Sequence, residues 1–194
     1  MFLADKVTLI RIFLSPVFFI VYMLPSFFPS LFSGAELWTV PALWVVFVGS
    51  EITDMFDGMI ARKRNETSDF GKLFDPFADT LMQITCFLCF VLDGIFPAIL
   101  FLLVLYREFG ILLIRNMMMK KGIAMGARMG GKIKTVAYIL AAGAALVTTS
   151  IQRLGVFDFL VPWFKTGSLV IFVIAVIFSL VSFFDYVSVY RKVV

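Results

Sequence analysis

The sequence predicts an all-α polytopic membrane protein. Three observations carry this: 61% of the 194 residues are hydrophobic against 15% charged, mean hydropathy is +1.01, and long apolar runs alternate with short stretches rich in glycine, proline or charge. Soluble domains carry about 25% charged residues, so this chain belongs in a bilayer, and its 24 Phe suit lipid-facing and interhelical packing. No low-complexity tract or Gly/Ser linker divides it, and residues 1–194 read as one domain.

A membrane-spanning helix needs about 20 mostly apolar residues, and six segments approach that length, at 8–25, 37–57, 73–92, 95–118, 133–151 and 162–189. No small-residue cleavage site follows the first run, which therefore reads as a span and not a removed signal peptide. Pro16 kinks that helix or falls near its start. Breakers separate the segments: Pro25, Pro29 and Gly34 after the first, Gly94 and Pro97 between the third and fourth, and Gly122, Gly126, Gly130 and Gly131 between the fourth and fifth.

An even number of spans puts both termini on one side. Lys6 and Arg11 lie at the N-terminus, Arg62, Lys63, Arg64 and Lys72 between the second and third segments, Arg115, Lys120, Lys121, Arg128, Lys132 and Lys134 between the fourth and fifth, and Arg191 and Lys192 at the end. The loops at 26–36 and 93–96 carry no Lys or Arg. By the excess of positive charge in cytoplasmic loops, both termini and both basic loops face the cytoplasm. The net charge of +4 thus reflects membrane topology, and nucleic acid is not expected as a partner.

The chain has no His, so any bound metal is expected on oxygen ligands. Cys86 and Cys89 form a lone C-x-x-C within an apolar run and read as small helix-packing residues. The chemistry lies in the acids: Asp54-x-x-Asp57-Gly58-x-x-Ala61-Arg62, then eight residues, then Gly71-x-x-x-Asp75-x-x-x-Asp79. Carboxylates at membrane depth are costly and mark function. Asp54 and Asp57 are three apart and Asp75 and Asp79 four apart, so each pair shares a helical face. If the basic loop brings the two helix ends together, the four acids converge and repel unless cations intervene, which is how a Mg2+ or Mn2+ site for phosphate chemistry is assembled. Gly58 and Gly71 permit close backbone approach to a ligand, Ala61 keeps the surface shallow, and Arg62 offers a fork of donors to phosphate. The competing structural readings are an interfacial salt-bridge cluster with neighbouring Arg and Lys, or an ion pathway.

These residues resemble the CDP-alcohol phosphatidyltransferase family, whose signature is D-x2-D-G-x2-A-R-x8-G-x3-D-x3-D; residues 54–79 match all eight fixed positions. The resemblance implies six transmembrane helices around a cytoplasm-facing polar cavity, two divalent ions, and a homodimer among membrane lipids. It implies metal on Asp54, Asp57 and Asp75, with Asp79 touching the second ion and acting as catalytic base. CDP-diacylglycerol would be held through Asp57, Gly58, Ala61, Arg62, Gly71 and Asp75.

The acceptor is sought among the remaining polar groups. Arg107 and Glu108 lie in the fourth apolar segment and project about 100° apart, so they need not neutralise each other: Arg107 is free to face the cavity while Glu108 pairs elsewhere. Gly130-Gly131-Lys132-Ile133-Lys134-Thr135 sets two cations beside glycines at a helix start, where the dipole also favours an anion. Together with Thr8-Leu9-Ile10-Arg11, these runs resemble the branch of the family whose acceptor is glycerol 3-phosphate. That branch usually has Asn-Pro or Asn-Leu before the Thr, where this chain has Asp5-Lys6-Val7. The resemblance implies Arg107, Arg115, Lys132 and Lys134 as ligands of the acceptor phosphate. The alternatives are inositol phosphate, serine or phosphatidylglycerol as acceptor, or a small cation channel or transporter. A channel would need polar residues through the outer helix halves, which are nearly free of them.

Overall fold

The structure, a computed structural model, describes residues 3–28, 34, 36–64, 69–120, 122 and 129–193; the side chains of 3–7, 36, 55–64, 69–73, 129 and 193 lie outside it. Among the described residues there are six α-helices and no strand: α1 (Leu3–Phe27), α2 (Glu36–Arg64), α3 (Asp69–Leu92), α4 (Ala98–Lys120), α5 (Met129–Leu154) and α6 (Val161–Val193), with a 3-10 turn at Asp158–Leu160. The all-α polytopic expectation holds. Four stretches are long and apolar enough to cross a membrane, Thr8–Phe27, Phe74–Leu92, Gly130–Leu154 and Asp158–Lys192. The other two helices, α2 and α4, have 29 and 23 residues, lengths that also reach across a core of about 30 Å at 1.5 Å per residue. They carry Glu51 and Asp54, and Arg107, Glu108 and Arg115, within their runs.

Five of the six helices outrun the segments read from hydropathy, whereas α4 starts at Ala98, inside its segment at 95–118. α2 continues to Arg64 and α3 starts at Asp69, so both halves of the acidic motif are helical. Hydropathy counts only the apolar part, whereas a helix propagates into the wet interface at the cost of one residue per added hydrogen bond. Pro16 and Pro25 both lie inside α1. Pro25 sits close enough to the end to remove little, and Phe28 N–H still reaches the Leu24 carbonyl at 3.2 Å.

The chain packs as two compact units: residues 1–89 with 152–156, and residues 90–151 with 157–194. In the first, α1 packs along α2 over a core that includes Phe18, Tyr22, Leu43, Phe47, Ala78, Met82, Cys86 and Cys89. Both cysteines are buried and neither forms a disulfide, in keeping with their reading as packing residues. Arg153 stacks 4.2 Å from the centre of the Tyr22 ring and donates to the Tyr22 carbonyl at 2.9 Å, beside the turn that Pro25 disturbs.

In the second unit α4 packs along α6. Gly110 makes that approach possible, since a Cβ there would stand 2.9 Å from Phe183 Cε2. The connection from α3 into α4 closes as a Schellman motif: Ile95 N–H donates to Phe90 O at 2.8 Å and Gly94 N–H to Val91 O at 2.9 Å, with Gly94 at φ +66°. Phe96 then meets Phe90 edge-on at 5.7 Å and stacks on Phe172 at 3.9 Å. A side chain at the left-handed Gly94 costs about 1–2 kcal/mol, so Gly94→Ala is expected to lower the thermal unfolding midpoint in detergent, while Gly143→Ala, in the regular interior of α5, leaves it the same or raises it.

Candidate active site

Thr8 and Arg11 lie three residues apart on α1 and therefore on one face. Both turn onto the acidic motif. Arg11 Nη1 donates to Asp54 Oδ1 on α2 and to Asp79 Oδ1 on α3. Its Nη2 stands 3.9 Å from Asp75 Oδ1, which also accepts from Thr8 Oγ1. The next turn of α1 braces this arrangement, for Ser15 Oγ donates to the Arg11 carbonyl at 3.1 Å and lies 3.6 Å from Met82 Sδ.

Exposure separates the partners. The Arg11 side chain is 2% exposed, and those of Asp54, Asp75 and Asp79 are 45%, 46% and 40% exposed. The guanidinium is the floor of the cluster, and the three carboxylates keep an open side. The i, i+4 spacing of Asp75 and Asp79 delivers two acids from one helix, and Asp54 arrives from another. Of the expected site residues, Asp57, Gly58, Ala61, Arg62 and Gly71 lie outside the described side chains, on helical backbone.

Arg11 corrects one sequence expectation. It was counted with the flanking cytoplasmic cations, but it is buried within the first unit because three acids neutralise it there. The signal in the sequence was an Arg inside an otherwise apolar run, which requires a counter-charge at membrane depth. Thr8, uncharged, was marked only by the Thr8-Leu9-Ile10-Arg11 run and not by any need for a counter-charge.

Among the described residues no three His, Cys, Asp or Glu side chains are arranged to hold a metal ion; Asp54, Asp75 and Asp79 are drawn onto Arg11, and Asp57 lies outside. The donor chemistry nonetheless fits a hard divalent cation. The converging groups are carboxylates with an open side, which suit Mg2+ or Mn2+, and both thiols, Cys86 and Cys89, are in the core.

The second unit holds a basic cluster around one acid. Arg107 Nη1 donates to Glu108 Oε1 at 2.8 Å, and Lys134 Nζ donates to Glu108 Oε1 and Oε2 at 3.2 and 3.3 Å. The side chains of Arg107 and Glu108 are 4% and 3% exposed. Sequence spacing left these neighbours free to diverge; the structure pairs them, because an unpartnered charge so deeply buried costs several kcal/mol and the long Arg side chain reaches round the helix.

Arg107 also donates through Nε to the Ser179 carbonyl at 3.1 Å and through Nη2 to Ser182 Oγ at 3.2 Å, which fastens α4 to α6. Lys134 lies 4.8 Å from the centre of the Tyr138 ring, whose hydroxyl hydrogen-bonds Ser179 Oγ at 2.6 Å. Arg115 rests on the Tyr186 ring at 5.8 Å, and its Nη2 reaches the hydroxyl at 3.5 Å. Lys132 is exposed.

A membrane helix assembly with a carboxylate cluster fit for divalent ions and a separate basic cluster defines a class, and comparison with known proteins identifies it. The model of the CDP-alcohol phosphatidyltransferase family matches residues 1–181. The chain belongs to that family. It is 36% identical over 193 residues to the CDP-diacylglycerol–glycerol-3-phosphate 3-phosphatidyltransferase of Treponema pallidum (strain Nichols), covering 96% of this chain and 88% of the relative. The protein of the same name from Bacillus subtilis (strain 168) is 35% identical over 190 residues, covering 96% of this chain and 93% of the relative. A probable phosphatidylglycerophosphate synthase of Mycobacterium tuberculosis (strain ATCC 25618 / H37Rv) is 30% identical over 150 residues, covering 76% and 67%.

The Glu108 pairing has a measurable consequence. Glu108→Ala strands two buried cations, and removing one partner of such a group costs about 3–5 kcal/mol; thermal unfolding in detergent should show a large drop. Lys132→Ala, at an exposed position, should unfold like the wild type.

Proposed function

We propose that this chain transfers the phosphatidyl group of CDP-diacylglycerol to glycerol 3-phosphate, giving phosphatidylglycerophosphate and CMP. The observation that carries the chemistry is the meeting of Asp54, Asp75 and Asp79, from two helices, on one partly exposed site. The acceptor is supported by the shared name of relatives 35–36% identical over 96% of the chain and by the cations the sequence places on α4 and α5.

In this reading Asp54, Asp57, Asp75 and Asp79 would hold two Mg2+ or Mn2+ ions, whose charge would neutralise the diphosphate and the departing CMP. Gly58, Ala61 and Gly71 let the nucleotide approach the backbone, and Arg62 offers paired donors to its phosphates. Asp79 takes the proton of the acceptor hydroxyl as its oxygen attacks the phosphorus that bears diacylglycerol. The new P–O bond forms, the bond from that phosphorus to CMP breaks, and the proton remains on the Asp79 carboxylate. Arg107, Arg115, Lys132 and Lys134 form the positive surroundings for the acceptor phosphate. The site opens to the cytoplasm from the inner membrane of a bacterium, as the loop charges and the bacterial relatives support, and the protein works as a homodimer.

The test is CMP release by purified protein in detergent with CDP-diacylglycerol and Mg2+, given glycerol 3-phosphate, inositol phosphate, serine or phosphatidylglycerol in parallel. Release with glycerol 3-phosphate alone is expected, reduced about 10²- to 10⁴-fold in Asp79→Asn, the usual worth of a positioned general base. Release with another acceptor overturns the acceptor assignment. An undiminished Asp79→Asn overturns the role of Asp79.

A further inference from the structure

Arg11 has no part in the reaction as written, yet it is the most buried charge of the acidic cluster and its principal contact. One nitrogen, Nη1, serves both Asp54 Oδ1 and Asp79 Oδ1, oxygens delivered by two different helices. The cationic nitrogen therefore stands at the point from which α2 and α3 would both be ligated. A Mg2+ ion bonds oxygen at about 2.0–2.1 Å. It cannot share that point with a guanidinium nitrogen, and two cations so close repel each other.

We propose that Arg11 is a tethered competitor of the divalent ion: the two alternate on Asp54 Oδ1 and Asp79 Oδ1, and the ion binds as the guanidinium withdraws. The proposal rests on the metal-binding reading given above. Arg11 has somewhere to go. Its Nη2 is already 3.9 Å from Asp75 Oδ1, the oxygen that Thr8 also holds, so a small swing keeps the buried charge paired on that oxygen and leaves the other oxygen of Asp75 to the ion. Displacement is then an exchange of partners and not the stranding of a charge. The device keeps the acids together through folding, and it demands that an ion outbid a fixed positive charge, which favours divalent over monovalent cations.

A purely architectural Arg11 predicts the opposite sign in a binding experiment, since its loss would loosen the carboxylates and weaken the ion. Mn2+ binding to purified protein without substrate, read by the electron paramagnetic resonance signal of free Mn2+, separates the two. Arg11→Gln is expected to bind Mn2+ at least about fivefold tighter than wild type, the lower end of ordinary coupling between sites. Arg11→Lys, which keeps the charge, should stay close to wild type. Equal or weaker binding by Arg11→Gln overturns the proposal, whereas no Mn2+ binding by wild type or any variant overturns the metal reading itself.

Should Arg11→Gln fail to fold, the wild-type protein answers alone. With 15N-labelled arginine, the Arg11 Nε resonance, assigned by its loss in Arg11→Lys, should move as Mg2+ saturates the site. A resonance unmoved at saturation overturns the competition.

Discussion

Charge without a partner is what a bilayer-embedded helix can least tolerate, and the ion group joining Arg11 to Asp54, Asp75 and Asp79 is where this protein meets that constraint. The three acids come from α2 and α3 and the cation from α1, so satisfying the charge fixes three helices at one level. The apolar surfaces of those helices give adhesion but little register, because lipid tails compete for the same contacts. The buried polar contact supplies the register: the guanidinium finds its partners only where Asp54, Asp75 and Asp79 converge.

The second unit solves the same problem with the signs exchanged. Glu108 is its buried anion, and Arg107 and Lys134 converge on it. Arg107 extends the tie through Ser179 and Ser182 on α6, where Gly110 allows α4 and α6 to approach closely. Each unit thus buries an ion of one sign among charges of the other, and in each those contacts tie helices together.

Much of this was legible in sequence, and the part that was not has a common cause. Apolar runs gave six helices, and the spacing of Asp75 and Asp79 put both acids on one face. Gly94 marked the turn that the Schellman motif closes. Periodicity places a residue on a face of its own helix but does not say which helix that face will meet. Arg11 therefore looked like a flanking cation, Thr8 stood out only through the Thr8-Leu9-Ile10-Arg11 run, and Arg107 and Glu108 looked free to diverge. In each case the deciding fact was a partner distant in sequence, or a burial that made pairing compulsory. Helix ends were mostly short in the reading for a different reason: hydropathy marks the membrane and not the helix, so residues 58–64 continue as helix beyond the segment read at 37–57.

The commitments of the basic residues bear on how the proposed acceptor site divides its work. Arg107 places its Nε and both terminal nitrogens on protein partners, so its positive charge acts through space while its donors are engaged in structure. Lys134 is shared with Glu108, and two cations against one carboxylate leave that cluster net positive. A phosphate drawn to it can gain Lys134 as a direct partner only as the hold of Glu108 relaxes, an exchange of one anion for another at a buried cation. Lys132 is exposed, and Arg115 rests mainly on an aromatic ring, so either can turn to a ligand at smaller structural cost. In the proposed reaction the buried cations set the field and the outer ones make the first contacts. The acidic cluster has the same logic, with a cation that yields its oxygens to a stronger one.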